Sequence, residues 1–386
     1  KEKEAQAGRM KLIHLSDLHI GKRVNEFSMA EDQKYILNQI LEIIDRERPD
    51  CVLLAGDIYD KTIPSAEAVQ ILDDFLTRLA RRRIPAAMIS GNHDSPERLA
   101  FGAELMKETG LYVSPVYDKQ VQSLCLTDDF GKVQIYLLPF LKPAIVRHVY
   151  EEETVESYQD AVETAIAHLE LDPSCRNVLV AHQFVAGASR CESEEMSVGG
   201  IDQVDVTVFD GFDYVALGHI HSPQSAGRRT VRYCGTPLKY SFSEAGQQKS
   251  VSVVELFEKG RVEIREVPLT PLRDMRKIRG TYLELTAKSF YEGTNTEDYI
   301  QATLTDEEDI PDGMQKLRII YPNLMRLEYD NRRTRENRQI ERAADAEEKS
   351  ELELFSELFE LQNNQPMGAE QKEFLEDVIR LAKGEE

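Results

Sequence analysis

Five short stretches of this chain gather side chains that hard or borderline divalent cations accept. They are Asp17-Leu18-His19, Gly56-Asp57, Gly91-Asn92-His93-Asp94, Ala181-His182 and Gly218-His219-Ile220-His221. Five of the eight histidines fall in them. Asp17 and His19 stand two apart, as do His219 and His221, so each pair shares a face where the backbone is extended. Asp57 follows a glycine that permits a sharp exit, and its two carboxylate oxygens make it the candidate bridge between two cations. Asn92 offers a neutral oxygen, and His182, His219 and His221 offer imidazoles. Seven ligands for two metals leave room for water and substrate oxygens. Two cations roughly 3.5–4 Å apart can activate a water and stabilise the attacking and leaving oxygens of a phosphoester. His93 adjoins Asn92 without having to reach a metal; it suits protonating the leaving oxygen or steadying transition-state charge. Asp94 stands next to it in sequence as the group to orient it. Asp60 reads as a residue that caps or orients the loop after Asp57. His14, His148 and His168 read as structural.

Taken singly, each stretch has an ordinary explanation. A D-x-H is common, G-N-H-D suits a turn, and an H-x-H can end an exposed strand. Their recurrence, each after an apolar run, carries the two-metal reading. Residues 11–16, 51–55 and 86–90 read as strands. Helical patterns at 29–47 (Ile36, Leu37, Ile40, Leu41, Ile44) and 66–83 (Val69, Leu72, Phe75, Leu76, Leu79) lie between them. Strand–helix–strand–helix–strand predicts an α/β fold with a partly parallel sheet, whose ligands gather at the carboxyl ends of strands. Further strands are expected at 132–138, 177–180, 214–217, 231–233, 251–257 and 261–267, the last two forming a hairpin around Lys259-Gly260, and a helix at 154–169. Past about residue 270 the character changes. Strands at 281–286 and 316–321 with a helix at 295–304 suggest a small α+β module. Arg332, Arg333, Arg335 and Arg338 mark a linker. Ser350-Glu351-Leu352-Glu353 fits a capping box opening an amphipathic run through Leu354, Phe355, Leu358 and Phe359. Pro366 breaks it, and a second run carries Phe374, Leu375, Val378, Ile379 and Ala382. The expected domains are 10–275, 276–330 and 331–386.

With 386 residues, 41% hydrophobic and 30% charged, the chain has room for a large domain plus a solvated, charged part. Its five cysteines are far apart with no C-x-x-C, which argues against a zinc ribbon or a disulfide framework and suits a reducing, cytoplasmic setting. No apolar run approaches the roughly 18–20 residues of a membrane span, so no membrane partner is expected. The first nine residues are polar, lack the apolar stretch of a signal peptide, and read as an added tail before a natural start at Met10. The net charge of −22 argues against autonomous, nonspecific DNA binding. Residues 341–386 hold 14 acids against 5 bases and so carry −9 of it. A nucleic acid must then be met by local groups, metals or a partner.

Together, Asp17-x-His19, Gly56-Asp57-x-x-Asp60, Gly91-Asn92-His93-Asp94, His182 and Gly218-His219-x-His221 resemble the calcineurin-like metallophosphoesterase superfamily over residues 10–270. The resemblance implies a β-sandwich flanked by helices and two metals. Asp17, His19, Asp57 and His221 would hold one, and Asp57, Asn92, His182 and His219 the other. Asp60-Lys61-Thr62 and Gly91-Asn92-His93-Asp94 depart from the D-R-G and G-N-H-E of protein phosphatases. Residues 213–221 and 235–244 instead resemble the SbcD family of bacterial nuclease subunits. That resemblance implies a capping domain, C-terminal helices, a homodimer and an SbcC-type coiled-coil ATPase partner docking the tail. It also implies Mn²⁺-dependent (or Mg²⁺-dependent) exonuclease and endonuclease action on double-stranded DNA ends and hairpins, in DNA repair, recombination and replication. Lys22, Arg23, Lys239 and Tyr240 flank the first and last motifs and are either DNA-phosphate contacts or ordinary surface residues. The competing reading is a small-molecule phosphodiesterase or nucleotidase of the same superfamily, to which a cap and tail would be superfluous.

Overall fold

The computed structural model describes residues 8–189, 191, 193–194, 203–332 and 334, with isolated positions beyond. The Ser350 capping box, the apolar runs after it, and the linker arginines past Arg332 lie outside, or almost wholly outside, the described residues. By contact the chain forms two units. One holds Lys1–Lys277 and Glu297–Gln301, the other Ile278–Thr296 and Ala302–Glu386.

In the first unit β1 (Met10–Leu15), α1 (Ala30–Glu47), β2 (Cys51–Ala55), α2 (Ala66–Arg82), β3 (Ala86–Ile89) and β4 (Leu111–Val113) succeed one another, the strands pairing in parallel. Every residue of β1, β2 and β3 is buried, as befits parallel strands covered on both faces. The helices form for local reasons. Ser65 caps α2 by accepting from Ala68 N–H, and arginines close its last turn. Val69, expected on the apolar face of α2, is instead 45% exposed; it sits three residues before Leu72 but at the edge of the stripe.

The chain then builds a second sheet from β5 (Gln122–Asp128), β6 (Gly131–Leu137), β7 (Arg176–His182), β8 (Tyr214–Gly218), β9 (Gln224–Ala226) and β10 (Arg228–Tyr233). Its order is β9-β10-β8-β7-β6-β5, parallel from β6 to β10. α3 (Tyr158–Ala167) opens on a capping box between Ser157 and Asp160, four residues later than the sequence pattern suggests. Finally β11 (Ser250–Leu256) and β12 (Val262–Pro268) return to the first sheet, and β11 pairs antiparallel with β1. Leu12, Leu53, Ala87, Ile135, Val180, Ala216 and Val254 fill one core built from strands of both sheets. The outer face of the second sheet buries Leu179, Val215 and Leu217 with Val162 and Ala165 of α3. This two-sheet α/β architecture is the expected sandwich.

Beyond Pro268 the short elements are the reverse of those expected. Residues 281–286 hold a helix, α4 (Tyr282–Thr286). Thr281 accepts from Glu284 N–H and Glu284 accepts from Thr281 N–H, a capping box that fixes a helix start. Residues 295–304 hold a strand, β14 (Tyr299–Leu304), following β13 (Met275–Gly280). Residues 316–321 lie largely in the helix α5 (Gly313–Arg318), and β15 (Leu324–Tyr329) completes a sheet of order β13-β14-β15. No helix among the described residues is long and apolar enough to cross a membrane.

Candidate metal centre

The five motifs leave the carboxyl ends of five parallel strands: β1, β2 and β3 of one sheet, β7 and β8 of the other. Turning so sharply off a strand takes unusual backbone. Asp17, His19, Asp57 and His219 all have positive φ, at 52°, 43°, 48° and 99°. Asp17 and His19 are therefore not on an extended strand end, and strand parity is not what brings them together. Such torsions cost energy and persist where neighbours over-determine them. Here the neighbours are cross-loop hydrogen bonds: Asp17 N–H donates to Gly56 O (3.0 Å) and His19 N–H to Asp57 O (2.9 Å). Two glycines permit the close approach. A Cβ on Gly218 would stand 1.8 Å from Ala55 O and 2.6 Å from His182 Nδ1, and one on Gly91 2.1 Å from Asp57 Oδ1.

Each carboxylate is divided between a backbone bond and the centre. Asp17 Oδ1 accepts from His219 N–H (2.9 Å), while its buried Oδ2 is left over from that bond and is not matched to a donor among the described residues. Asp57 Oδ1 accepts from His93 N–H (2.9 Å). Its Oδ2 faces three imidazoles: His182 Nε2 at 3.3 Å, His19 Nε2 at 3.7 Å and His93 Nε2 at 3.9 Å. Two groups of donors flank it. Asp17, His19 and His221 form one, with His19 Nε2 and His221 Nε2 3.1 Å apart. Asn92 Oδ1 lies 3.0 Å from both His182 Nε2 and His219 Nδ1 in the other. His182 Nδ1–H donates to Ala55 O (2.8 Å), which leaves Nε2 as the nitrogen that faces the centre.

Burial separates the charges unevenly. It pushes Asp17 up to about 7, with Asp57 adding to the effect. Burial alone would also raise Asp57, but His182 and His19 beside it hold its carboxyl well below the usual range. Burial alone would lower His182, yet the Asp57 carboxylate outweighs it and lifts that imidazole to about 9. Burial holds His19 and His221 well below the ordinary histidine range. The neutral imidazoles of His19 and His221 with facing nitrogens, the Asp17 oxygen not used by the backbone bond and the shared Asp57 oxygen form a donor set that fits divalent cations. All seven predicted ligands meet here. Asp17, His19, Asp57, His182 and His221 form the buried floor, and Asn92, His93 and His219 are half-buried at the open side.

His93 also groups with His19 and Asp57 as a possible ligand set. Its Nδ1–H donates to Asp60 O (3.1 Å), not to Asp94. The expectation that Asp94 orients His93 is therefore corrected. The Asp94 carboxylate accepts from Ile58 N–H (3.0 Å), Tyr59 N–H (2.9 Å) and Gly91 N–H (2.9 Å), tying the loop after β2 to the loop after β3. Burial and the Asp57 charge raise its carboxyl to about 6. Asp60 instead pairs with Lys22 (2.8 Å) and lies 3.7 Å from His19 Nδ1. Lys239 is spent on Asp274 and Ala245 O, and buried Tyr240 donates to Leu18 O (2.7 Å), so neither is presented to a phosphate. His14 is structural. It lies 2.9 Å from Tyr214 Oη, and burial, with Arg232 nearby, lowers it to about 3. His168 stacks on Tyr150 and pairs with Glu153.

Sequence reasoning missed the braces. Gln33 donates to His19 O (2.7 Å) and accepts from Gly21 N–H (2.9 Å). Phe140 lies parallel to His219 with ring centroids 6.4 Å apart. Glu194 accepts from His221 N–H at 2.6 Å. Each comes from a different element, and no spacing in the chain announces it.

The calcineurin-like phosphoesterase family profile matches residues 10–223. A profile described as the type 5 capsule protein repressor C-terminal domain matches residues 271–363. Over 322 residues the chain is 34% identical to the SbcD subunit of the nuclease SbcCD of Staphylococcus epidermidis, covering 82% of this chain and 85% of that protein. Among solved structures, a dimetal phosphatase from Danio rerio is similar at 13% identity and TM-score 0.42 over 68% of this chain and 98% of that one. A Thermus thermophilus protein is similar at 13% identity and TM-score 0.39, over 67% and 99%.

Proposed function

This chain belongs to the calcineurin-like phosphoesterase family, among its SbcD nuclease subunits, and from that premise we propose that it hydrolyses phosphodiesters at DNA ends and hairpins with two divalent cations, Mn²⁺ or Mg²⁺. The observation that carries the reading is the single Asp57 oxygen facing His182 and His19 between two donor groups. Asp17, His19 and His221 would hold one cation and Asn92, His182 and His219 the other, with Asp57 shared between them. Bound there, two such ions supply Lewis-acid stabilisation of phosphoryl charge and a nucleophile at neutral pH.

The chain's own groups do the rest. Two ligand carboxylates against two divalent cations leave the centre locally positive in a protein of net charge −22, so a phosphodiester is drawn to the site and not to the surface at large. Asn92, His93 and His219 border its open side. With Nδ1–H held by the Asp60 carbonyl, His93 has Nε2 left to deliver a proton to the leaving oxygen. Asp94 fixes the two loops that carry Asp57 and His93 through its three backbone hydrogen bonds.

The partner in this reading is an SbcC-type coiled-coil ATPase, engaged through residues 331–386, while 276–330 form the capping domain. The ATPase would supply much of the DNA affinity that an acidic chain lacks. The chain acts as a homodimer; exposed Phe101 and Leu105 offer apolar surface for a second copy. The deciding experiment compares Mn²⁺-dependent cleavage of linear duplex and hairpin DNA with hydrolysis of cyclic nucleotides, with and without the ATPase. Hydrolysis of nucleotides alone would replace this reading with a small-molecule phosphodiesterase.

A further inference from the structure

His221 differs from the other imidazoles of the centre in how it is held. Its Nδ1 lies 2.7 Å from Ser193 Oγ, and that hydroxyl donates to Glu244 Oε1 at 2.7 Å. A serine hydroxyl has one proton. Since it goes to Glu244, the contact with His221 must run from Nδ1–H to the Ser193 oxygen. His221 is thereby fixed as the tautomer with a proton on Nδ1 and a lone pair on Nε2, the atom 3.1 Å from His19 Nε2.

The relay continues into a buried ion pair. Glu244 is fully buried and Lys249 is 4% exposed, and Lys249 Nζ donates to Glu244 Oε2 at 2.5 Å. The same ammonium donates to His221 O (2.9 Å) and Gln247 Oε1 (2.9 Å), using all three protons. Glu194, next to Ser193, accepts from His221 N–H. His221 is thus gripped at its ring, its amide and its carbonyl by groups that do not themselves reach the centre. A buried ion pair is weak evidence for stability as such; one whose hydrogen bonds converge on a single imidazole has a use.

We propose that Ser193, Glu244 and Lys249 are positioning residues that lock His221 in the tautomer presenting Nε2 to one of the two cations. The inference rests on the two-metal reading above and names how one of its sites is tuned. Partners of this kind are worth roughly 10–100-fold in metal affinity.

The test uses the full chain and the variants S193A, S193T and S193C. Mn²⁺ binding is followed by titration calorimetry, and the imidazole nitrogens of the metal-free, ¹⁵N-histidine-labelled protein by NMR. S193A is expected to weaken one of two Mn²⁺ sites by about 10–100-fold, leave the other unchanged, and alter the nitrogen shifts of His221. S193T, which keeps the hydroxyl, is expected to restore both. S193C, close in size but a weak acceptor, should behave as S193A and covers the case in which the smaller side chain disturbs the loop. Wild-type affinity at both sites in S193A and S193C, equal weakening of both sites, or unaltered His221 shifts would overturn the proposal. A wild-type chain that binds two Mn²⁺ but cleaves no phosphodiester would defeat the functional reading and leave the relay standing.

Discussion

Replacing Asp94 with alanine removes one carboxylate and leaves three backbone N–H groups, those of Ile58, Tyr59 and Gly91, buried without acceptors. A hydrogen bond to a charged group is worth roughly 1.5–3 kcal/mol, and an unsatisfied buried donor costs about 1–3 kcal/mol. The raised carboxyl shows that burial already opposes its charge, so the sum falls short of three full bonds. A loss of about 3–5 kcal/mol is expected, a large part of the ~5–15 kcal/mol by which domains are stable. Asparagine tests the count. Its single Oδ1 can replace Asp94 Oδ2, which serves Ile58 and Gly91, but its amide then meets Tyr59 N–H donor to donor. Asp94→Asn should cost about 1–3 kcal/mol, between wild type and alanine. Urea unfolding at fixed Mn²⁺ gives both values. Per folded, metal-loaded molecule, both variants should keep the wild-type pH–rate profile, because Asp94 makes no bond to His93. An alanine variant within about 0.5 kcal/mol of wild type, or a shifted profile in asparagine, would refute this account.

Four further outcomes follow from the geometry. His93→Ala should retain both metals by elemental analysis while its turnover falls by about 10²–10⁴-fold; metal loss would make it a ligand instead. Gly218→Ala should destabilise the protein and lower its metal content together, since the added Cβ would stand 1.8 Å from Ala55 O beside the His182–Ala55 bond. His14 is lowered to about 3 against an ordinary 6.5, so the unfolded chain binds the extra proton between those values. Stability from its neutral form is complete above pH 6.5 and is lost as pH falls toward 3, by up to roughly 5 kcal/mol, and pH-dependent melts of His14→Gln should show a shallower acid slope. Deleting residues 345–386 should abolish co-purification with the ATPase and spare Mn²⁺ binding.

The first unit was legible because its signals are long and redundant. Runs such as Cys51–Ala55 are apolar on both faces, α1 and α2 repeat over four or more turns, and metal-binding residues stand at strand ends. The second unit offers only short elements, for which periodicity does not separate helix from strand. Thr281 and Glu284 did carry a helix-start signature at capping-box spacing, and Tyr299-Ile300 with Thr303 carried the aromatic and β-branched bias of a strand. In the site, residue types were readable and backbone was not. Asp17 and His19 converge through left-handed torsions held by bonds from the β2 loop, which no local pattern encodes. The partners of Asp94, Lys239 and Tyr240 are not legible for a related reason: sequence adjacency to a motif says nothing about which backbone groups a side chain will satisfy.

The return of β11 to pair with β1 has a consequence for how the protein is made. Met10 faces Leu256 across that ladder, so one edge of β1 stays without its partner until nearly the whole first unit has been synthesised. Closing so long a loop is slow relative to local contacts. The last of the proposed ligands, His221, also precedes the closing strand, so a nascent chain acquires the whole proposed ligand set before it has the sheet to hold it. A chain truncated anywhere between residues 221 and 250 would then carry the whole ligand set on an open-edged sheet, exposed to pairing with other chains. The segment that completes the sheet, β11, thus contributes none of the proposed ligands.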